Sequence, residues 1–196
     1  MRIVSAALAA AVAGLLPAVA MAHTGVDHAS GFAHGMAHPA GGLDHVLAMV
    51  LVGVLAFQMG GRARLLLPAS FVGVMAVGGL AGMAGFTLPL VEAGIALSIV
   101  VLGAAVAFGV RAPMAVAMGL VGFFAIFHGY AHGAEMPANA GGLGYAAGFL
   151  LATAALHAAG LGLGWLVARG TAGGVMVRTA GGVATLAGIA ILTGVL

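Results

Sequence analysis

The sequence predicts an all-α fold: a polytopic membrane protein, a six-transmembrane-helix bundle after a cleaved signal peptide. Three observations predict it. Hydrophobic residues make up 63% of the chain and charged residues only 5%, against about a quarter charged in soluble domains. Apolar stretches recur at the length that crosses a hydrocarbon core of about 30 Å, roughly 20 residues each. Arginines and acids then sort to opposite sides of one alternating path through the bilayer.

From the N-terminus, Arg2 supplies a positive n-region, residues 3–16 an apolar h-region, and Ala20-Met21-Ala22 a small-residue cleavage site. Those are the three parts of a secretory signal. The expected division is a signal peptide over 1–22, a periplasmic His-rich segment over 23–40 and a six-helix transmembrane domain over 41–196. Cleavage after Ala22 makes His23 the mature terminus, whose α-amine and imidazole together can grip a metal. The tail from His23 to His34, with Asp27 and His28, reads as a solvated collector.

The six spans are expected over 42–60, 65–84, 88–108, 114–132, 144–168 and 175–196. Starting outside, this path puts Arg62 and Arg64 in the first loop, Arg111 in the third, and Arg169 and Arg178 around the fifth. All are then cytoplasmic, where basic residues of short loops collect. Asp27, Asp44, Glu92 and Glu135 fall outside or in the outer part of a span. The expected location is a bacterial inner membrane, with both mature termini periplasmic. Each half holds three spans and is related to the other by inversion, a plan common in transporters. The 35 glycines read as surfaces for close helix approach, above all at 78–82 and 160–164.

What is missing narrows the chemistry. Without cysteine there is no disulfide, thiolate metal site or cysteine nucleophile. All the basic residues are arginine, so the lysine of a phosphate-binding loop or of a retinal Schiff base is lacking. A pI near 10 reflects very few charges rather than a basic surface. The expected partner is the lipid bilayer, and nucleic acid is not implied.

Polar residues of the spans form a pattern. The words HGMAH (34–38) and HGYAH (128–132) nearly repeat. His128 and His132, four apart, share one helix face with Cβ atoms about 6 Å apart, a spacing that can chelate. Glu135 extends that face or caps it. In HPAGGLDHVLAM, Pro39 and the Gly41-Gly42 pair keep the backbone out of regular helix until just before Asp44, folding His38 back toward Asp44 and His45. From the first word, His38 rather than His34 belongs to this group. Met49 follows one turn below His45.

His157 lies near the middle of the fifth span, a depth at which a polar side chain normally faces the bundle interior, with Thr153 one turn earlier placed to hold one of its nitrogens. Glu92 sits in the outer turn of the third span. Imidazole and carboxylate donors without sulfur anions suit divalent Ni, Co, Zn or Cu, and a dication would offset the cost of burying Asp44 and Glu92. HGYAH has metalloprotease spacing but Gly129 where the catalytic Glu would follow the first His, so no enzyme is expected. Haem ligation fits poorly, because His128 and His132 share one face. A metal-binding accessory or sensor without net transport stays open beside a permease.

The stretches HPAGGLDHVLAMVLVG (38–53) and FHGYAHGAEMP (127–137) resemble those of the HupE/UreJ family, membrane proteins found with hydrogenase and urease accessory functions and regarded as nickel or cobalt permeases. The likeness covers the mature chain in its six-span plan. It implies a secondary transporter that carries Ni2+, or Co2+, across the inner membrane in support of nickel-enzyme maturation, with hydrogenase or urease maturation proteins as partners. Donor chemistry keeps Zn2+ as a further alternative. Metal-coordinating roles carry over onto His38, Asp44, His45, His128, His132 and Glu135; His157, Glu92 and His23 join them from the residues alone.

Overall fold

The computed structural model describes residues 31–136 and 142–195. The expected signal peptide, His23, Asp27 and His28 lie outside them. Every regular element among the described residues is helical: α1 (Gly31–Ala37), a 3-10 turn (His38–Gly41), α2 (Leu43–Met59), α3 (Ala63–Met83), α4 (Val91–Phe108), α5 (Met114–Ala134), α6 (Gly142–Ala168) and α7 (Gly173–Leu192).

Helices α3 to α7 are each long and apolar enough to cross a membrane. The sixth candidate is broken: α1 with its 3-10 turn meets α2 at an 86° bend. Pro39 at the start of the 3-10 turn lacks the amide needed to continue α1, and Gly42 is extended, at φ −112° and ψ 121°. At 17 residues α2 is at the short end of what spans a bilayer. The protein is thus a multi-pass membrane protein, with helix limits close to those expected. The addition is α1, a helix within the stretch 23–40 expected as a periplasmic His-rich segment.

Three helix pairs hold the bundle together: α2 with α6, α3 with α5, and α4 with α7. Each is closed by glycine, because a Cβ there would strike the opposing backbone. On Gly53 it would strike His157 and Gly160, on Gly133 it would strike Gly79, and on Gly103 it would lie 2.9 Å from the Gly181 carbonyl. Bilayer helices gain no hydrophobic drive from one another, so this intimacy supplies the dispersion contacts that associate them. The glycine surfaces at 78–82 and 160–164 are packing surfaces as expected, although Gly162 faces open space. Exchanging α2 with α5, α3 with α6 and α4 with α7 turns the first pair into the second and leaves the third in place, as an inverted three-plus-three plan requires.

Arg62, Arg64, Arg111, Arg169 and Arg178 gather at one end of the bundle, where α2, α4 and α6 finish. Two stand over aromatic rings: Arg64 is 5.1 Å from the Phe57 centroid and Arg169 is 3.5 Å from that of Trp165. The opposite end carries His34, His38, His45 and His132 with Asp44, Glu92 and Glu135. There α4 starts from Leu90, which holds a left-handed φ of 59° although it is 78% exposed. A non-glycine residue in that region costs about 1–2 kcal/mol. Leu90→Gly is expected to raise stability by about 0.5–1 kcal/mol after the entropy of the extra glycine is counted. Thermal melting in detergent checks this, and an unchanged or lower Tm would show that no strain is held there.

Candidate metal centre

The bend after α1 shapes the site. His38 points back from the 3-10 turn, so that its ring centroid stands 4.7 Å from that of His132 on α5. His45, in the first turn of α2, reaches across to α5 and lies against both members of HGYAH: 4.2 Å from the His132 centroid and 4.7 Å from that of His128. Phe71 of α3 continues the line, with His128 at 5.5 Å on one side and His157 at 5.1 Å on the other. His34 begins it, 6.2 Å from His38. A string of imidazoles from four helices and a turn therefore runs from the surface to the middle of the bundle. Tyr145 and Phe149 of α6, stacked at 6°, wall its outer part; the Phe149 ring lies 4.2 Å from His132.

At its outer end the string opens into a cavity of about 450 Å³. Asp44, Glu92 and Glu135 line it beside His34, His38, His45 and His132. Those are three of only four acids in the chain, with every described arginine at the opposite end. A concave site of one sign between low-dielectric walls concentrates counter-ions, so this mouth attracts cations.

Inside, the imidazoles are short of hydrogen bonds. His45 Nδ1 is 3.0 Å from an Asp44 carboxylate oxygen, which also accepts the His45 backbone N–H at 2.8 Å. His128 Nε2 is 2.9 Å from Ser98 Oγ. The other nitrogens, His45 Nε2, His128 Nδ1 and both of His132 and His157, are buried without a partner among the described residues. Each such group costs about 1–3 kcal/mol, and buried polar atoms are normally satisfied. Their concentration in one string marks it as built for something other than stability. No three His, Asp or Glu side chains among the described residues already converge at metal-binding distances. The rings instead rest edge to face against one another, His38 on His132 and His45 on both His128 and His132.

The expected partnerships are partly redrawn. Thr153 does not hold His157; its hydroxyl faces the Met75 sulfur at 3.9 Å, because the α6 side chain one turn before His157 points toward α3. Glu92 is exposed, so no desolvation has to be offset there; the first turn of α4 stands at the cavity mouth. Met49 is fully buried core. Glu135 caps the end of α5 and lines the cavity, while His23 lies outside the described residues. Ser98, Phe71 and the Tyr145–Phe149 wall went unread in the sequence. Ser98 had a signal: with Glu92 it is the only hydrogen-bonding side chain of α4.

The sequence profile of the HupE / UreJ protein family matches residues 10–191. The chain belongs to the HupE/UreJ family. This HupE/UreJ chain is 50% identical over 179 residues to Protein HupE of Rhizobium leguminosarum bv. viciae, covering 91% of its own length and 93% of that relative. No solved structure matches it. Both stretches on which the resemblance was read, 38–53 and 127–137, fall within the matched region, and their His and Asp residues meet at the string of rings.

Proposed function

We propose that this HupE/UreJ protein is a secondary permease for a divalent transition-metal ion, Ni2+ foremost and Co2+ next, entering from the periplasm through the His/Asp/Glu cavity. One observation carries the reading: unpartnered imidazole nitrogens continue inward from an acid-lined mouth to His157. The acids would gather and partly dehydrate the ion. Asp44 then plays the part of the carboxylate behind a metal-binding imidazole, fixing the ring and raising its basicity. His38, His45, His128 and His132 offer nitrogen donors suited to Ni2+, Co2+ or Zn2+, with Glu135 and Glu92 at the entrance and His157 as the innermost station. His23 and the leader of 1–22 belong to this proposal as an extracytoplasmic start to the mature chain. Beyond His157, Leu55, Leu67, Leu102, Val106 and Val121 are buried and apolar, so the conformation described is closed toward the arginine-bearing end.

The test is flux. Purified protein in sealed proteoliposomes should accumulate nickel well above empty vesicles, with cobalt and zinc run in parallel to rank the ions. Binding without accumulation of any of the three would replace the permease by a metal-holding accessory.

A further inference from the structure

We propose that Ser98 is a positioning residue: it fixes which nitrogen of His128 carries the hydrogen and so reserves Nδ1 for the metal ion. This rests on the metal-permease reading and adds to it a residue of α4 that touches no ion. The Ser98 hydroxyl lies 2.6 Å from the Ile95 carbonyl, one turn back, and 2.9 Å from His128 Nε2, all of it buried. A hydroxyl has one hydrogen to give. Two acceptors at 2.6 Å with none between them repel, so the hydrogen goes to Ile95 and Oγ is left to accept. His128 must then donate from Nε2–H, and Nδ1 carries the lone pair, buried and without a partner among the described residues.

The same arrangement recurs across the contact. His45 donates from Nδ1 to the Asp44 carboxylate, leaving Nε2 buried with its lone pair unused. Two imidazoles from different helices, edge to face at 4.7 Å, are therefore each held in one tautomer by an acceptor behind them, one charged and one neutral. That is the arrangement that orients imidazole ligands for a divalent transition metal. Ser98 does for His128 what Asp44 does for His45.

Threonine and valine separate hydroxyl from shape, since they are nearly isosteric. In full-length protein in nanodiscs, nitrogen NMR of labelled histidine, with the His128 signals identified by their absence in His128→Ala, should show Nε2–H in the native protein and in Ser98→Thr. It should show a mixture in Ser98→Val and Ser98→Ala. Calorimetric titration with Ni2+ should give a loss of about 10–100-fold in affinity for Val and Ala, the range for partners behind metal ligands, and native affinity for Thr. Ser98→Ala carries the comparison if the larger side chains prevent folding. Native Ni2+ affinity in Ser98→Ala, equal affinity in the Thr and Val variants, or a native His128 protonated on Nδ1 would each overturn the assignment. Native Ni2+ affinity in His128→Ala would instead reject the metal role of His128, whatever the tautomer proved to be.

Discussion

Replacing His132 by alanine is expected to abolish metal accumulation while leaving the protein folded in the membrane. His132 sits where the string turns inward, in contact with His38, His45 and Phe149, and it lines the outer cavity. Even groups behind a metal ligand are worth about 10–100-fold, so removing this ring should lower uptake by more than about 100-fold. Stability moves little, because two effects oppose. Truncation opens a cavity, which for large side chains costs about 3–5 kcal/mol, but it also deletes two buried nitrogens that have no partner, relieving about 1–3 kcal/mol each. The Tm should therefore stay near that of the native protein while uptake disappears. Native accumulation at native protein level would remove His132 from the path.

The second large effect is structural. Gly129→Leu should prevent accumulation of folded protein, because the new Cβ would run into the Met75 carbonyl and lie 2.8 Å from its carbon and 2.9 Å from the Gly79 nitrogen. Those atoms are backbone of α3 and have no rotamer to yield. Overpacking of side chains costs about 1–3 kcal/mol; here the cost exceeds about 3, since a whole helix must shift. Gly119→Leu, on the same helix where nothing lies within 4 Å, is the control and should change stability by less than about 1 kcal/mol, leucine being the better helix former. Monodispersity and melting in detergent compare the two. A well-folded Gly129→Leu would show that α3 and α5 are not locked at this point.

Hydropathy made the spans legible, because bilayer thickness sets their length and satisfied backbone leaves helix as the structure available. The start of α6 came two residues early, at Gly142 rather than 144, since glycine blurs a boundary without ending a helix. Helix α1 was beyond such reading. Its seven residues are too few for a span, and its conformation is fixed by docking: a Cβ on Gly35 would strike Tyr145, and one on Gly148 would strike Phe32. Local spacing put His38 with Asp44 and His45, which line one cavity, and separately His128 with His132, which both lie against His45. It gave no hint that His45 bridges the second pair, or that Ser98, 30 residues from His128, stands behind it. Thr153 and His157 stand one turn apart on the same helix, yet tertiary packing turns the threonine toward Met75.

The glycine-closed pairs have a mechanical consequence. Contacts within α2–α6, α3–α5 and α4–α7 are extensive, whereas those across the seams between pairs are sparser, so the bundle is a set of three two-helix blocks. His45 belongs to the first block, His128 and His132 to the second, Ser98 to the third. A guest held between His45 and His128 would clamp the first two blocks directly, and its release would free that joint. Any rocking that opens the arginine-bearing end would therefore be driven at the joint itself, with no relay needed from a distant site.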